Sequence, residues 1–184
     1  MSLRVIAGSV GGRKLVAPKG GARPTTDRVK EALFASLGAA LIDGAAVLDL
    51  YAGSGALAIE ALSRGASRAV LVDHDRAAVV AMEANLATTG FTEVAQIARA
   101  PVAAFLRDGG GPFDLVFLDP PYDTPSTEVS AVLADLADRR IVAPGGTVVV
   151  ERPKSGEPLV LPDPWKSEKE RGYGDTLLVV AHAR

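Results

Sequence analysis

Residues 46–64 read AVLDLYAGSGALAIEALSR, and three patterns follow one another within them. Ala46-Val47-Leu48-Asp49-Leu50-Tyr51 is apolar apart from one acid near its end, as in a strand buried in a sheet. Gly53-Ser54-Gly55 then supplies a tight turn, because glycine adopts backbone angles closed to other residues. Residues 56–64 repeat at helical spacing until Gly65 stops them. Strand, glycine turn and helix together open a βαβ unit.

The alternation continues downstream. Strands are predicted at residues 69–73, 94–98, 113–118 and 147–151, with helices at 76–88, 102–107 and 127–139 between them. Pro144-Gly145-Gly146 reads as a turn, and the tail supplies two more strands, near residues 157–161 and 176–181. This order predicts an α/β fold with a mostly parallel sheet and helices on both faces. Such sheets hold their ligand beyond the carboxyl ends of the strands, where strand order reverses. The residues to watch are therefore the strand-ending acids Asp49, Asp73 and Asp119.

Upstream, two short β-type pieces flank Gly11-Gly12, a hairpin signal. Residues 1–24 are expected to form a basic β-hairpin arm and residues 25–184 the body, which starts with a helix at 28–37. Val29, Leu33, Phe34 and Leu37 share one face of that helix. Residues 1–30 carry seven basic groups against Asp27 alone, or +6, and the rest carries 13 basic and 21 acidic groups, or −8. A basic arm on an acidic body fits a polyanion partner or a solubilising tail equally well.

Composition removes several chemistries. The chain has no cysteine, so disulfides and thiol catalysis are excluded, and its two histidines, His74 and His182, stand far apart. No apolar run approaches the roughly 20 residues a membrane helix needs, so a soluble, cytoplasmic protein is expected. Asp73 and Asp75 alternate along an extended segment and could share an ion, but Asp75 reads better as the cap of the next helix. No metal is expected.

The turn itself, Tyr51, Ala52, Gly53, Ser54 and Gly55, admits two cofactor classes. A dinucleotide would lay its pyrophosphate on free N–H groups at the helix end, with Asp73 on a ribose. S-adenosylmethionine has no phosphate and carries an ammonium and a sulfonium. Asp49, four residues before Gly53, suits a cation and opposes a phosphate, so S-adenosylmethionine is favoured. His74 would line the adenosine.

Residues 118–122 read LDPPY. Two prolines fix two φ angles and remove two donors, so the chain leaves the sheet stiffly after Asp119. Asp119-Pro120-Pro121-Tyr122 resembles the D/N-P-P-Y/F motif of amino-group methyltransferases. An exocyclic base amine is a weak nucleophile, and an Asp119 carboxylate with a Pro120 carbonyl could hold its two hydrogens in the reactive direction. Pro121 stiffens the pair, and Tyr122 would stack on an extruded base.

A wider resemblance covers residues 3–74 and 113–122. Arg4-Val5-Ile6-Ala7-Gly8, Gly12-Arg13-Lys14-Leu15, the stretch from Arg23-Pro24-Thr25-Thr26-Asp27-Arg28 to Phe34, and the block from Asp49 to Ala66 are similar to the RsmD family of 16S ribosomal RNA guanine-N2 methyltransferases. The resemblance implies a Rossmann-like class I methyltransferase with a seven-stranded sheet, S-adenosylmethionine as cofactor, and 16S rRNA in a 30S subunit as partner. It places Thr25, Thr26 and Arg28 over the methionine end of the cofactor. It also gives Arg4, Arg13, Lys14, Lys19 and Arg23 a purpose as phosphate contacts, which position an RNA without choosing its base. A monomer is expected. Where relatives carry an acid or amide for the adenine, this chain has Arg99-Ala100-Pro101, which leaves that contact to the backbone.

Three other readings stand beside this one. A DNA adenine or protein glutamine methyltransferase would keep Asp119 to Tyr122. A nicotinamide-dependent oxidoreductase would use the same glycine turn, and an idle RNA-binding module would need neither.

Overall fold

The computed structural model describes residues 3–19 and 27–183. Six helices and seven strands alternate: α1 (Asp27–Leu37), α2 (Ala39–Ile42), β1 (Ala46–Leu50), α3 (Ala56–Ser63), β2 (Arg68–Asp73), α4 (Arg76–Thr89), β3 (Ala95–Arg99), α5 (Val102–Asp108), β4 (Phe113–Leu118), α6 (Ser126–Asp138), β5 (Val142–Pro153), β6 (Lys166–Tyr173) and β7 (Thr176–His182). The strands form one sheet in the order β3-β2-β1-β4-β5-β7-β6. β1 to β5 run parallel, and β7 lies antiparallel to both β5 and β6. This is the expected mostly parallel, seven-stranded arrangement.

Burial explains why the central strands are almost wholly apolar. All five residues of β1 are buried, because helices cover the sheet on both sides. On one face Leu48, Leu50, Val116 and Val150 pack with Val102 and Leu106 of α5, with Val129, Leu133 and Leu136 of α6, and with Trp165. On the other, Val47, Leu71, Leu115 and Phe117 pack with Phe34 of α1, Ala58 of α3 and Met82 of α4. The chain passes from β1 to β2 and β3 on one side, then crosses to β4 on the other. The reversal thus falls between β1 and β4, where Leu50 pairs with Leu118.

The N-terminal stretch is docked on the body. Arg4 and Lys14 form an antiparallel bridge, and Gly12 and Val5 are joined by a 2.9 Å N–H to carbonyl bond. Leu3, Val5 and Leu15 pack on Ile59 of α3 and Leu86 of α4. The centre of the docking is Glu60, which is fully buried: it accepts the N–H groups of Ile6 at 2.7 Å and Ala7 at 3.0 Å and pairs with Arg64 at 2.8 Å. Lys30, also fully buried, lies 3.7 Å from the same carboxylate and donates to the Arg4 carbonyl. Burial lowers the Lys30 pKa, and Glu60 and Asp27 oppose that shift. One of the seven cations behind the local charge of +6 is therefore an internal strut.

Two expectations need correction. Residues 157–161 form no strand, and the sheet's edge is Lys166–Tyr173 instead. Pro158 and Pro162 bracket the first stretch and deny it ladder donors. The edge strand escaped notice because KSEKERGY has no apolar alternation, the charged composition that protects exposed edges. The Pro144-Gly145-Gly146 turn lies inside β5: Phe113 pairs with Val142 and Leu115 with Thr147, so residues 143–146 bulge from the ladder.

The buried pair yields a stability prediction. Glu60→Ala leaves the Lys30 ammonium and two backbone donors uncompensated, and should cost about 3–5 kcal/mol in urea unfolding. Glu60→Gln should cost less, because its amide oxygen can still accept one donor.

Candidate active site

Three carboxylates meet at the carboxyl edge of the sheet. Leu50 pairs with Val72 on one side and Leu118 on the other, which sets Asp73 and Asp119 level with each other and Asp49 two residues deeper in the sheet. Asp49 is only 1% exposed, and its Oδ2 accepts the N–H of Ala58 at 3.1 Å. Ala58 is the third residue of α3, so the strand's own carboxylate caps the helix that follows it. Burial raises the Asp49 pKa well above the usual carboxylate range, the Ala58 bond opposes this, and Asp119 and Asp73 push it higher still.

The turn is wound tightly by three left-handed residues, Tyr51 at φ 62°, Gly53 at 54° and Gly55 at 75°. A Cβ on Gly55 would stand 2.6 Å from the Leu71 side chain, so the helix can approach β2 only with glycine there. Tyr51 has a side chain and still adopts this angle, a local strain of the kind that gathers at functional sites. Its hydroxyl is held above the usual phenol range, mainly by burial and secondly by Glu128.

The N–H groups of this turn have partners. Gly53 donates to Asp73 Oδ2 at 2.9 Å, Gly55 to the Ala52 carbonyl at 2.7 Å and Ala52 to the Val72 carbonyl at 3.0 Å. These three donors, together with the Ala58 N–H held by Asp49, are therefore engaged within the protein. An incoming pyrophosphate would meet two carboxylates beside engaged donors, whereas an ammonium or sulfonium would be attracted to them and would favour the ionised form of Asp49. Ser54 is buried behind the turn, its carbonyl bonded by Asn85 Nδ2 at 2.8 Å.

Asp73 also takes the Asp75 N–H at 2.9 Å, and Asp75 caps α4 through Ala77 at 3.0 Å, as its position implied. His74 is exposed, its ring 3.7 Å from Asp73. Its carbonyl accepts from Arg99 at 3.4 Å, and the Ala100 N–H reaches the Asp73 carbonyl at 3.2 Å. Residues 99 and 100 therefore close against the end of β2 through the Arg99 side chain and the Ala100 N–H.

Beyond β4, Asp119 is half-buried and Pro120 buried, while Pro121 is exposed. Tyr122 is 60% exposed, and its hydroxyl donates to the Asp175 carbonyl at 3.0 Å, which ties the motif to the β6–β7 turn. A cleft of about 490 Å³ opens here, with Pro120 to Thr127 on one wall and Arg152 to Leu159 on the other.

The remaining candidates are spread more widely. Arg13, Lys14, Lys19 and Arg28 are exposed, and Arg4 pairs with Asp27 at 2.9 Å. Val10, near the hairpin tip, bonds Ser63 at the far end of α3, so the tip points away from the carboxylates. Arg23, Thr25 and Thr26 lie outside the described residues. Sequence reasoning missed Asn85, whose Nδ2 joins Val16 to Ser54 and so links the arm to the turn. The signal was present: it is an amide on the buried face of a helix, where such a group needs partners.

Comparison with known proteins agrees with this geometry. The model of the Conserved hypothetical protein 95 family matches residues 3–182. Ribosomal RNA small subunit methyltransferase D of Escherichia coli K12 is 40% identical over 174 residues, 94% of this chain and 85% of that protein. Its counterpart in Haemophilus influenzae is 37% identical over 94% of this chain and 89% of its own. Among solved structures, an Escherichia coli protein described as the methyltransferase yhhF superposes with a TM-score of 0.87 at 36% identity, covering 100% of this chain and 99% of that one.

The raised Asp49 pKa has a consequence for stability. An acid easier to protonate when folded stabilises the fold below its unfolded value of about 3.9, and that contribution is lost as pH rises through the folded value. Asp49→Asn, which keeps an oxygen for Ala58, should match the wild type near pH 4. It should become progressively more stable than the wild type toward pH 8 in thermal melts without cofactor.

Proposed function

Because the chain belongs to the RsmD family of methyltransferases, we propose that it methylates the exocyclic N2 of one guanine in 16S ribosomal RNA, within an assembled or partly assembled 30S subunit. The observation that carries this reading is Asp-Pro-Pro-Tyr beside two further carboxylates at the switch point of the sheet. Residues 1–24 serve as the arm and 25–184 as the catalytic domain, working as a cytoplasmic monomer.

The donor set fits S-adenosylmethionine, since negative charge stands where a dinucleotide would need positive. Asp49 and the turn from Tyr51 to Gly55 would take the methionine portion, with Thr25, Thr26 and Arg28 across from them. Asp73 would hold the ribose hydroxyls and His74 would flank the adenosine. S-adenosylmethionine supplies the methyl group, whose bond to sulfur breaks as the bond to N2 forms.

The protein's part is orientation. Asp119 and the Pro120 carbonyl accept the two N2 hydrogens, which directs the nitrogen lone pair toward the methyl group. Pro121 keeps those acceptors from relaxing. Tyr122 presents its ring to the base, with its hydroxyl anchored on Asp175. Once N2 is bonded to the methyl group it carries positive charge, and its proton leaves to Asp119 or to water.

Arg4, Arg13, Lys14, Lys19 and Arg23 contact phosphates. Their number is too small to select one guanine in a long RNA, so the shape of the ribosomal particle supplies the remainder.

The direct test offers methyl-labelled S-adenosylmethionine with 30S subunits, naked 16S RNA and DNA, each from cells lacking this enzyme, and then maps the modified base. Label recovered as N2-methylguanine in 30S particles supports the proposal. Label in DNA or protein, or none despite cofactor binding, refutes it.

Two variants probe the mechanism. Asp119→Ala should lower kcat by about 10²–10³, the scale of removing one preorganised polar partner. Tyr122→Ala should lower kcat/KM by roughly 5–150-fold, corresponding to about 1–3 kcal/mol of stacking. In both, calorimetry should find S-adenosylmethionine affinity nearly unchanged. A parallel loss of cofactor affinity in Tyr122→Ala would remove that ring from the base.

A further inference from the structure

Arg152 closes the cleft opposite Asp-Pro-Pro-Tyr, and its position is unusual for a charged residue. It is 6% exposed, and its Nε is the one buried side-chain nitrogen or oxygen among the described residues that lacks a hydrogen-bond partner. Buried guanidinium donors are expensive to leave unmatched, so an orphan at the wall of a cleft asks for an acceptor.

The sheet explains how the side chain reaches this place. Val150 pairs with Leu118 across β4 and β5, so two residues later Arg152 stands beside Pro120. Val148 and Val150 pack on the α6 side, and the strand's period of two sends Arg152 to that side as well. There Nη2 donates to Ser126 Oγ at 2.8 Å, and Ser126 in turn donates to the Glu157 carbonyl at 2.8 Å. The Pro153–Gly156 turn lies directly on the guanidinium, since a Cβ on Gly156 would come within 2.2 Å of Nη2. Arg152 is thereby fixed in direction, and Nε and one hydrogen of Nη2 share one edge of its fork.

The cleft's charge decides what that edge should meet. Asp123 and Glu157 line the walls, and Asp119 directly precedes the lining residue Pro120 in the chain, a charge balance that disfavours a phosphate. A neutral ring with acceptors on one edge and donors on another meets both signs. Guanine has this pattern: O6 and N7 accept, while the N2 amine donates. Adenine would turn an amine toward the arginine.

We propose that Arg152 is the residue that reads the target base, donating to its O6 and N7 edge while Asp119 and Pro120 hold the N2 amine, with the Pro153–Gly156 turn yielding to admit it. This rests on the reading that guanine N2 is the methylated atom.

The test uses 16S RNA ligated from fragments and assembled into 30S particles. The target is either guanine or 2-aminopurine, which keeps the 2-amine but lacks O6. Wild-type enzyme should prefer guanine in kcat/KM by roughly 5–150-fold, the range of one good bidentate base contact. Arg152→Met and Arg152→Lys, checked for fold by circular dichroism and for unchanged S-adenosylmethionine affinity, should lose most of that preference by losing rate on guanine alone. If both variants keep the wild-type preference, or slow both substrates equally as loss of a phosphate contact would, the proposal is overturned. Failure of the wild type to methylate guanine would instead overturn the function on which it rests.

Discussion

The structure turns on one carboxylate with a single place to go. Asp49 ends a strand whose other residues are apolar and wholly covered, so its charge cannot reach bulk water sideways. It is satisfied by the first turn of α3, through Ala58, and that bond pulls the helix start onto the end of the strand. The left-handed winding of Tyr51, Gly53 and Gly55 is what lets the chain reverse within so few residues. Asp73 then fastens the turn from the neighbouring strand, through Gly53. A concentration of negative charge at the head of a helix, where anions usually bind, selects for a cationic ligand.

A second polar knot secures the N-terminal stretch. Glu60 and Lys30 are both sealed from solvent, yet each also bonds backbone groups of residues 4–7. Buried ion pairs of this kind add little net stability against an apolar alternative, but they penalise any misplacement of the chain that completes them. The docking of the arm is thus specific in register, with the apolar contacts of Leu3, Val5 and Leu15 supplying the attraction.

How much of this was legible in the sequence depended on whether a residue's role lay in local pattern. The βαβ order, the glycine turn, the Asp75 cap and the strand-ending acids all follow from short-range spacing, and all appear where that spacing puts them. β6 did not, because its place at the edge is secured by pairing with β7 and its sequence carries charge rather than apolar alternation. Residues 157–161 misled through apolar composition: Leu159 and Leu161 do pack on the core, but as side chains from an irregular segment. Lys30, Glu60, Asn85 and Arg152 were hidden for a common reason. Each is a polar group buried by partners distant in sequence, and only the assembled fold shows which partners those are.

The docked arm also bears on the thermodynamics of meeting a polyanion. A segment that folded only on contact would bury fresh apolar surface and surrender chain entropy at that moment, with a marked heat-capacity decrease. Here the apolar side of the hairpin is already sealed against α3 and α4, leaving its exposed cations on a preformed scaffold. A polyanion meeting this surface would accordingly bind by ion exchange: counterions would leave it, little water would leave hydrocarbon, and the ordering penalty of residues 3–19 is already met within the free protein.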